Sequence, residues 1–489
     1  MASSTQAKLS IFCAILVITL ILSAAYIFSV GRFSIPQIFS SSIYSLGGKS
    51  EVGDTFTEAN LTIYTSFPAF PERDYVYFTS AYPIDKQPLA TWSKLDNSKR
   101  VCEDKLIIYG EHYAMAHDIV FDPRGMYRPE ATGGIPLKDL IPIVNQIKPD
   151  FGKYEPGKGL WKITCNSQPG GWNPVHVPFY GLTSFISKEE WSKLLLSGPN
   201  GQNITVFSNF TIAFRRGDYA NMHQYTMNTF NIFLLMVALR KQPREITLLI
   251  VDDAPQTFAF DQAWERAYGP TIHAGHLKSP VLFKNVAWNI PEPFSPIAQY
   301  KESEVYYLED FRSFFIQQHG LNPNYPLNCT RPHITVIFRR NKVYHLGNIE
   351  GNVGRKILNE AEIVSAIKSV IPNVYIRAPL LEVYPMGEQL SIISSTDILV
   401  GMHGAGMSHT MYLPRHAGVL EMFPKDFKVG RPWYCVYEAI CRWRKLHYIS
   451  WENRNSTIEL PFDQIALPLD MVVSNVKSLY EKICHVHLN

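Results

Sequence analysis

The residues best suited to chemistry lie in segment 400–409, which holds three glycines and two histidines. An apolar run, residues 398–400, precedes the glycines, and residues 407–413 can continue as a helix. The pattern therefore predicts a strand, a tight turn and a helix start. Glycines let a ligand approach the backbone, and the N–H groups of a helix N-terminus attract anions. A diphosphate would fit this turn, whereas the spacing differs from the G-x-G-x-x-G of nicotinamide and flavin enzymes.

Two further predicted strands end in polar residues that suit a nucleotide-sugar. Arg339 and Arg340 follow strand 334–338, and Glu421 lies in strand 419–423. Ligands of open α/β sheets bind at the carboxyl ends of strands. Paired arginines can neutralise a diphosphate, a histidine such as His403 can donate to it, and a carboxylate can accept from ribose hydroxyls. The alternatives are a solvated arginine pair and a Glu421 that is the buried partner of an arginine.

We expect no essential metal and no other cofactor. Metal-dependent nucleotide-sugar sites commonly use Asp-x-Asp, and this sequence contains none. Asp252 and Asp253 are adjacent, so on a strand their side chains point to opposite faces. Arginine and backbone amides would then meet the diphosphate charge.

A second polar concentration, residues 214–224, lies between a predicted strand and a predicted helix. Transfer of a sugar to a hydroxyl needs a base that takes the hydroxyl proton. His223 and Asp218 are the two candidate bases, with His223 slightly preferred. The alternative for Asp218 is a helix cap, a role that Asn221 on the acceptor side could also fill.

The elements that would position these residues alternate between strand and helix. Such alternation predicts an α/β fold with a parallel sheet covered on both faces. In the first half the predicted elements are strand 210–214, helix 221–239 and strand 246–251. In the second half, Asn359 and Glu362 form a capping signal for helix 360–371. The other elements there are strands 334–338, 374–377, 398–400 and 419–423, helices 387–395 and 407–413, and an amphipathic C-terminal helix.

The N-terminal sequence predicts a membrane anchor. Residues 9–30 carry no charge and suit one membrane span, which we favour over a cleaved signal peptide. Residues 1–8 would be a cytoplasmic tail and residues 31–70 a stem rich in Ser, Pro, Gly and Thr. A chain of 489 residues suggests two further domains, which we place at 71–325 and 326–489. The formal charge of +3 indicates no nucleic-acid partner.

Cysteines and glycosylation sequons favour the lumen of the secretory pathway. Six cysteines follow the anchor and allow up to three disulfides, and the alternative is six buried thiols. Asn-x-Thr sequons mark acceptor asparagines for N-glycosylation. The cysteines are Cys102, Cys165, Cys329, Cys435, Cys441 and Cys484, and the sequon asparagines are Asn60, Asn203, Asn209, Asn328 and Asn455.

These segments together resemble the eukaryotic family 61 glycosyltransferases. The resemblance covers roughly residues 205–485 and is carried by residues 216–221, 339–340, 355–360, 401–409 and 446–451. It implies a GT-B fold, in which two Rossmann-like domains face each other and the C-terminal one holds the donor. It also implies an inverting mechanism and a UDP-sugar donor. The implied and candidate donor-site residues are Arg339, Arg340, Arg355, Asn359, His403, Gly404, Ala405, Gly406 and Glu421.

The sequence also departs from the family pattern at the acceptor side. The family has Asn-x-x-His followed by an Asp, whereas here the histidine is displaced by one residue and Asn228 stands where the Asp is usual. We predict a type II membrane enzyme of the Golgi or endoplasmic reticulum that moves a sugar to a glycoprotein hydroxyl. The loop between Arg340 and Arg355 slightly favours UDP-xylose over UDP-GlcNAc. The alternatives are an EGF-type protein O-GlcNAc transferase and a UDP-binding luminal pseudoenzyme.

Overall fold

The computed structural model describes residues 98–109, 113–125, 137–140, 160–166, 183–199, 203–252, 254–290, 292–343, 345–346 and 348–485. All of them belong to one compact unit, Thr65–Asn489. The predicted tail, anchor and stem lie outside these ranges, as does Asn60. Among the helices that the structure describes, none has the length and apolar character needed to cross a membrane.

The first sheet has nine strands, and its central part is parallel. Its order is β1-β2-β3-β9-β6-β7-β8, with β4 attached to β3 and β5 to β4. Strand β6 pairs in parallel with β7 on one side and with β9 on the other. The strands are β1 Ser98–Val101, β2 Leu106–Tyr109, β3 Tyr113–Phe121, β4 Trp161–Thr164, β5 Thr183–Ile186, β6 Thr205–Phe214, β7 Ile246–Ile250, β8 Thr271–His273 and β9 Val281–Trp288.

Helices cover this sheet, and α3 is the central one. Nearly all of α3 is buried, as its run of Met, Phe and Leu predicts. Asn221 caps it, because its Oδ1 accepts from the His223 N–H at 2.9 Å. The helices are α1 Leu137–Leu140, α2 Lys188–Leu195, α3 Met222–Ala238, α4 Phe258–Tyr268 and α5 Leu308–Gln318.

The second sheet has five parallel strands in the order β11-β10-β12-β13-β14. It confirms the α/β prediction for the second half. A two-stranded ribbon, β15 Glu459–Leu460 with β16 Gln464–Ile465, precedes the last helix. The strands are β10 His333–Ile337, β11 Tyr375–Arg377, β12 Ile398–Met402, β13 Gly418–Phe423 and β14 His447–Glu452, and the helices are α6 Glu360–Val370, α7 Met386–Ser394, α8 Val436–Arg444 and α9 Leu469–Cys484.

One core joins the elements around the two sheets. Phe311 of α5 lies 6.2 Å from the ring of Tyr412, and Arg312 donates to the Tyr412 carbonyl at 3.3 Å. Arg444 of α8 donates to Glu309 of α5 at 2.6 Å. The strands of the first sheet precede residue 326 and those of the second follow it. The division into domains at that residue stays a prediction.

The helix predicted over residues 407–413 differs from the prediction in its bounds, and its coil is tighter than that of an α-helix. It is a 3₁₀ helix, Ala405–Tyr412, and the Met407 N–H donates to the Gly404 carbonyl at 2.8 Å. All of its residues from Met407 to Tyr412 are buried, so it has no solvent face and thus lacks the one-sided burial of an amphipathic α-helix.

The described residues form two disulfides, whereas the six cysteines would have allowed up to three. Cys102 is bonded to Cys165, and Cys329 to Cys484. Cys435 and Cys441 remain thiols. Cys435 directly precedes α8, and Cys441 lies six positions later, within the helix. At helical spacing the two lie on different sides and about 9 Å apart along the helix axis, which is too far for a disulfide.

Candidate functional site

Each sheet contains one place where the strand order reverses. In the first sheet the chain runs outward from β6 through β7 and β8 and returns to β9 on the other side of β6. In the second it runs from β10 to β11 and returns to β12 on the other side of β10. Crevices at the carboxyl ends of such strand pairs are the usual ligand sites of open α/β sheets. The predicted site residues fall at these two switch points.

At the second switch point, Arg339 follows β10 and the glycine turn follows β12. A side chain at Gly404 would collide with the Arg339 guanidinium. The φ of Gly404 is 164°, an extended value open to any residue, so this glycine is needed for space. At Gly406, an added Cβ would lie 3.3 Å from Ile337 Cγ2. The turn therefore keeps the Arg339 side chain against its backbone.

Arg355 joins the same turn from another segment. Its Nη1 donates to the His403 carbonyl at 2.8 Å, and its Cζ lies 5.3 Å from the Phe427 ring. Arg339 Nε donates to the Gly354 carbonyl at 2.8 Å, next to Arg355. Burial lowers the pKa of Arg355, because it removes the guanidinium from water. Two guanidinium groups thus converge on residues 403 and 404, as a diphosphate site requires.

His403 is held by Glu421. Its Nδ1 lies 2.6 Å from Glu421 Oε1, and the Tyr448 hydroxyl donates to Glu421 Oε2 at 2.7 Å. Burial, and then repulsion by Arg355 and Arg339, lowers the pKa of His403 to about 3. Burial raises the pKa of Glu421 to about 8. His403 is therefore neutral near pH 7, and its contact with Glu421 fixes the orientation of the imidazole ring.

This position changes what Glu421 can do. Glu421 has no exposed surface, and both of its carboxyl oxygens are engaged by His403 and Tyr448. In this conformation it offers no oxygen to the hydroxyls of a ribose. Its effect on a ligand passes through the orientation of His403. Glu421 is buried, as the alternative to a ribose-binding role supposed, but its partner is a histidine and not an arginine.

Sequence reasoning missed an aromatic and basic surface around His403, formed by residues 423–437. The rings of Phe423, Phe427, Trp433 and Tyr437 lie 5.0, 5.0, 5.7 and 5.3 Å from the His403 ring. Trp433 is 44% exposed. Phe423, Phe427 and Tyr437 are buried, so Trp433 is the ring of this group that can stack on a planar base. Aromatic and basic residues alternating directly after β13 were the available signal.

The same surface carries two cations. Lys428 Nζ lies 4.5 Å from the Phe423 ring centre, and Arg431 Cζ lies 4.7 Å from that of Phe427. Cations over aromatic faces are held in place without a carboxylate partner. They add positive charge beside the rings that surround His403.

Two other predicted donor residues are engaged elsewhere. Arg340 forms a two-point ion pair with Glu360 at the start of α6. The Asn359 amide donates to the Leu467 carbonyl at 2.8 Å and accepts from the Leu467 N–H at 2.9 Å. Asn359 is the N-cap of α6 as predicted, but its side chain makes no capping hydrogen bond and bonds instead to the segment before α9. The donor roles of both residues stay predictions.

At the first switch point the segment after β6 is rigidly held. Arg216 is buried and pairs with Asp252 at 2.6 Å. Asp218 Oδ1 accepts from the Ala220 N–H at 2.9 Å, so this side chain stabilises the turn before α3. Ala220 lies before α3, whose cap is Asn221, so this bond is not the helix cap considered for Asp218, and the role of Asp218 as a base stays a prediction.

His223 lies where the two halves meet. Its ring is 6.0 Å from the ring of Tyr437, which is itself 5.3 Å from that of His403. Both ring nitrogens are buried, and neither finds a hydrogen-bond partner among the described residues. Burial, and then repulsion by His403, lowers the pKa of His223 to about 4. The structure thus brings a candidate base of the first half next to the donor-side turn.

Glu292, which sequence reasoning missed, also lies at the first switch point. It begins a short 3₁₀ helix, Glu292–Phe294, four residues after β9. Its Oε1 accepts from the Gly217 N–H at 2.8 Å and from the Asn228 amide at 2.7 Å. Burial raises the pKa of Glu292 to about 7. A single acid in a Pro-rich loop gave no sequence signal, because its partners lie more than sixty residues away.

The expected absence of an essential metal and the N-glycosylation of the sequons both stay predictions. In the described ranges, no three His, Cys, Asp or Glu side chains come together as a metal site. The sequon asparagines within these ranges are all exposed, which an acceptor of a glycan requires; they are Asn203, Asn209, Asn328 and Asn455.

Comparisons with known proteins point to one family. The family model described as Glycosyltransferase 61 matches residues 289–420. The EGF domain-specific O-linked N-acetylglucosamine transferase of Gallus gallus is 38% identical over 114 residues, which are 22% of this chain and 19% of that protein. The protein of the same name from Canis lupus familiaris is 37% identical over 103 residues, 21% of this chain and 18% of that protein. That from Drosophila melanogaster is 32% identical over 101 residues, with 21% and 18% covered.

These matches confirm the resemblance to family 61 glycosyltransferases. The matched segment contains Arg339, Arg355 and the glycine turn with His403, and it begins just before Glu292. The matched part of the chain spans about a fifth of the length of these curated relatives.

Proposed function

We propose that this chain, whose residues 289–420 match the family model Glycosyltransferase 61, is a glycosyltransferase of that family and moves a sugar from a UDP-sugar to a hydroxyl of a glycoprotein. The reaction inverts the anomeric carbon. The observation that carries the proposal is the convergence of Arg339, Arg355 and His403 on one glycine turn at the second switch point. In a GT-B arrangement the second sheet holds the donor and the first sheet the acceptor.

The donor side would work by electrostatic stabilisation. When the sugar leaves, negative charge grows on the diphosphate, and preorganised N–H donors stabilise it. Arg339 and Arg355 supply guanidinium donors, and the turn at Gly404 supplies close backbone. The exposed Trp433 offers a stacking face for the uracil ring.

The donor sugar has two candidates. The relatives are N-acetylglucosamine transferases by name, so UDP-GlcNAc is the first donor to test. UDP-xylose, which the sequence slightly favoured, remains the second because of the long loop between Arg340 and Arg355. In this structure the loop docks on the first half, where Leu346 N–H donates to the Tyr219 hydroxyl at 2.8 Å.

The test is sugar transfer by the full chain purified in detergent. UDP-GlcNAc and UDP-xylose would be offered with EGF-repeat peptides and with glycoproteins, and both UDP release and incorporated sugar would be measured. Arg339→Ala should weaken UDP binding and transfer at least tenfold, whereas the matched change Arg340→Ala should have a smaller effect because Arg340 pairs with Glu360. UDP binding without transfer to any acceptor would favour the pseudoenzyme alternative.

We also place the catalytic part in the lumen of the Golgi or endoplasmic reticulum, on a type II anchor. The uncharged segment 9–30, the two disulfides and the exposed sequons support this location. Glycosidase treatment of the chain from secretory cells should increase its gel mobility. A chain with no attached glycan, accessible to protease in sealed microsomes, would contradict it.

A further inference from the structure

We propose that Glu292 is the catalytic base that takes the proton from the acceptor hydroxyl. The inference rests on the proposed sugar transfer and assigns a residue to its acceptor side. It replaces His223 and Asp218 as the first candidate.

The position of Glu292 supports this role. It follows β9, and the residue that binds it, Gly217, follows the neighbouring strand β6, so the carboxyl group lies in the crevice where the first sheet reverses its order. A side chain at Gly217 would collide with Glu292 Oε2 and would lie 2.6 Å from Gln224 Oε1. Gly217 thus leaves room for the carboxyl group above the strand ends.

Glu292 is held by one oxygen only. Its Oε1 accepts from the Gly217 N–H and the Asn228 amide, and no hydrogen bond from a described residue reaches Oε2. Next to it, Gln224 Oε1 is buried and has no partner in the described ranges. Both oxygens lie close to where a Cβ of residue 217 would stand, and a sugar or serine hydroxyl could donate to Glu292 Oε2 when the carboxyl group is ionised.

The same helix connects Glu292 with the donor side. Asn228 of α3 binds Glu292, and His223 at the start of α3 lies near His403. Helix α3 packs against both Glu292–Phe294 and the 3₁₀ helix Ala405–Tyr412. His223 and Asn228 are five positions apart in α3, so this helix connects Glu292 to the donor side.

Protonation favours Glu292 over His223. Burial raises the pKa of Glu292 to about 7, against the effects of Gly217, Asn228 and Arg215, and Asp218 raises it further. A base works best when its pKa lies near the working pH. The pKa of His223 is lowered to about 4, and its nitrogens are buried, so it accepts a proton poorly.

The step balances as a direct displacement. Glu292 Oε2 takes the hydroxyl proton as the acceptor oxygen forms a bond to the anomeric carbon of the sugar. The bond from that carbon to the phosphate oxygen breaks, and UDP leaves with the electron pair. The proton then passes from Glu292 to solvent, and no oxidant or reductant is needed.

Glu292→Gln separates catalysis from structure. The glutamine keeps a carbonyl oxygen for Gly217 and Asn228 but cannot take a proton. We expect kcat for transfer to fall about a hundredfold or more, since a general base contributes about 10²–10⁴. The Kd for UDP and the thermal midpoint should stay nearly unchanged. The rise in kcat/KM with pH near 7 should disappear in this variant.

His223→Gln is the matched control, and it should lower kcat less than tenfold. If Glu292→Gln keeps more than a tenth of the wild-type kcat, or if His223→Gln alone abolishes transfer, the assignment of the base is overturned while the proposed function stands. A wild-type chain that transfers no sugar to any acceptor would overturn the proposed function, and the base with it.

Discussion

The guanidinium of Arg339 occupies the space that a side chain at position 404 would need. The backbone of Gly404 is extended there, so its missing side chain serves the close approach of Arg339. Because Arg339 also donates to the Gly354 carbonyl, its guanidinium is positioned by two separate loops. This contact links the end of β10 to the end of β12, which form the second switch point.

Gly404→Ala should therefore displace Arg339 and weaken UDP binding. Losing a charge-assisted hydrogen bond costs about 1.5–3 kcal/mol, so we expect a loss of affinity of about tenfold or more. Isothermal calorimetry with UDP measures it. Gly387→Ala in α7 is the control, because a Cβ there lies 3.8 Å from His319 and meets ordinary contacts. Equal UDP affinity in both variants would remove the Arg339 contact from the site.

Glu421 should matter through the His403 ring. Glu421→Gln keeps the volume and offers one donor and one acceptor group to His403 and Tyr448, so UDP binding should persist. Glu421→Ala leaves both partners unpaired beside a cavity, at about 1–3 kcal/mol for each buried polar group. We expect a lower thermal midpoint and weaker UDP binding. Wild-type behaviour of the alanine variant would show that His403 needs no such support.

The raised pKa of Glu421 also predicts a pH dependence of stability, which a comparison of the wild-type chain with Glu421→Gln would reveal. Folding raises the pKa of Glu421 from 4.5 to about 8, so the folded state holds a proton that the unfolded state releases. Its contribution to stability is then lost as pH rises through this window. The glutamine variant should gain in thermal midpoint relative to wild type between pH 5 and 8. A constant difference would contradict the raised pKa.

Much of the second half could be predicted because its signals are local. The apolar run before Gly401 and the strand before Arg339 gave both strands of the second switch point nearly to the residue. In an α/β sheet, polar residues after such strands meet at one edge, which is why Arg339 and His403 were predicted together, whereas Arg355 was implied by the family resemblance.

The rest depended on distant contacts. From the sequence alone, Glu421 could be an exposed or a buried acid. The structure shows that its Oε1 lies 2.6 Å from His403 Nδ1. Asn359 carries every local sign of a cap, yet its amide bonds to Leu467, 108 positions along the chain. Glu292 gained its environment from Gly217 and Asn228. Local sequence patterns do not allow the strand order to be deduced, nor the loop packing that brings such pairs together.

His223 should make the chain less stable in acid. Folding lowers its pKa from 6.5 to about 4, so the unfolded state binds the proton first as pH falls. Its contribution to stability is present above pH 6.5 and is lost as pH falls toward 4. His223→Phe removes this titration and two buried nitrogens, so its unfolding free energy should depend less on pH between 4 and 6.5. Chemical unfolding at several pH values measures the slope; parallel curves would contradict the prediction.

The disulfide between Cys329 and Cys484 should stabilise the second half. It ties the segment before β10 to the end of α9, and the Tyr480 hydroxyl donates to the Cys329 carbonyl at 2.9 Å beside it. Its 155-residue separation makes the closed loop long, and removing such a bond typically costs about 2–5 kcal/mol. The double variant Cys329→Ala/Cys484→Ala should unfold at a lower temperature and release α9 to protease. Cys435→Ala, which removes a thiol outside any disulfide, serves as control. Equal thermal midpoints for the double variant and the control would show that packing of Val472 and Val476 alone holds α9 in place.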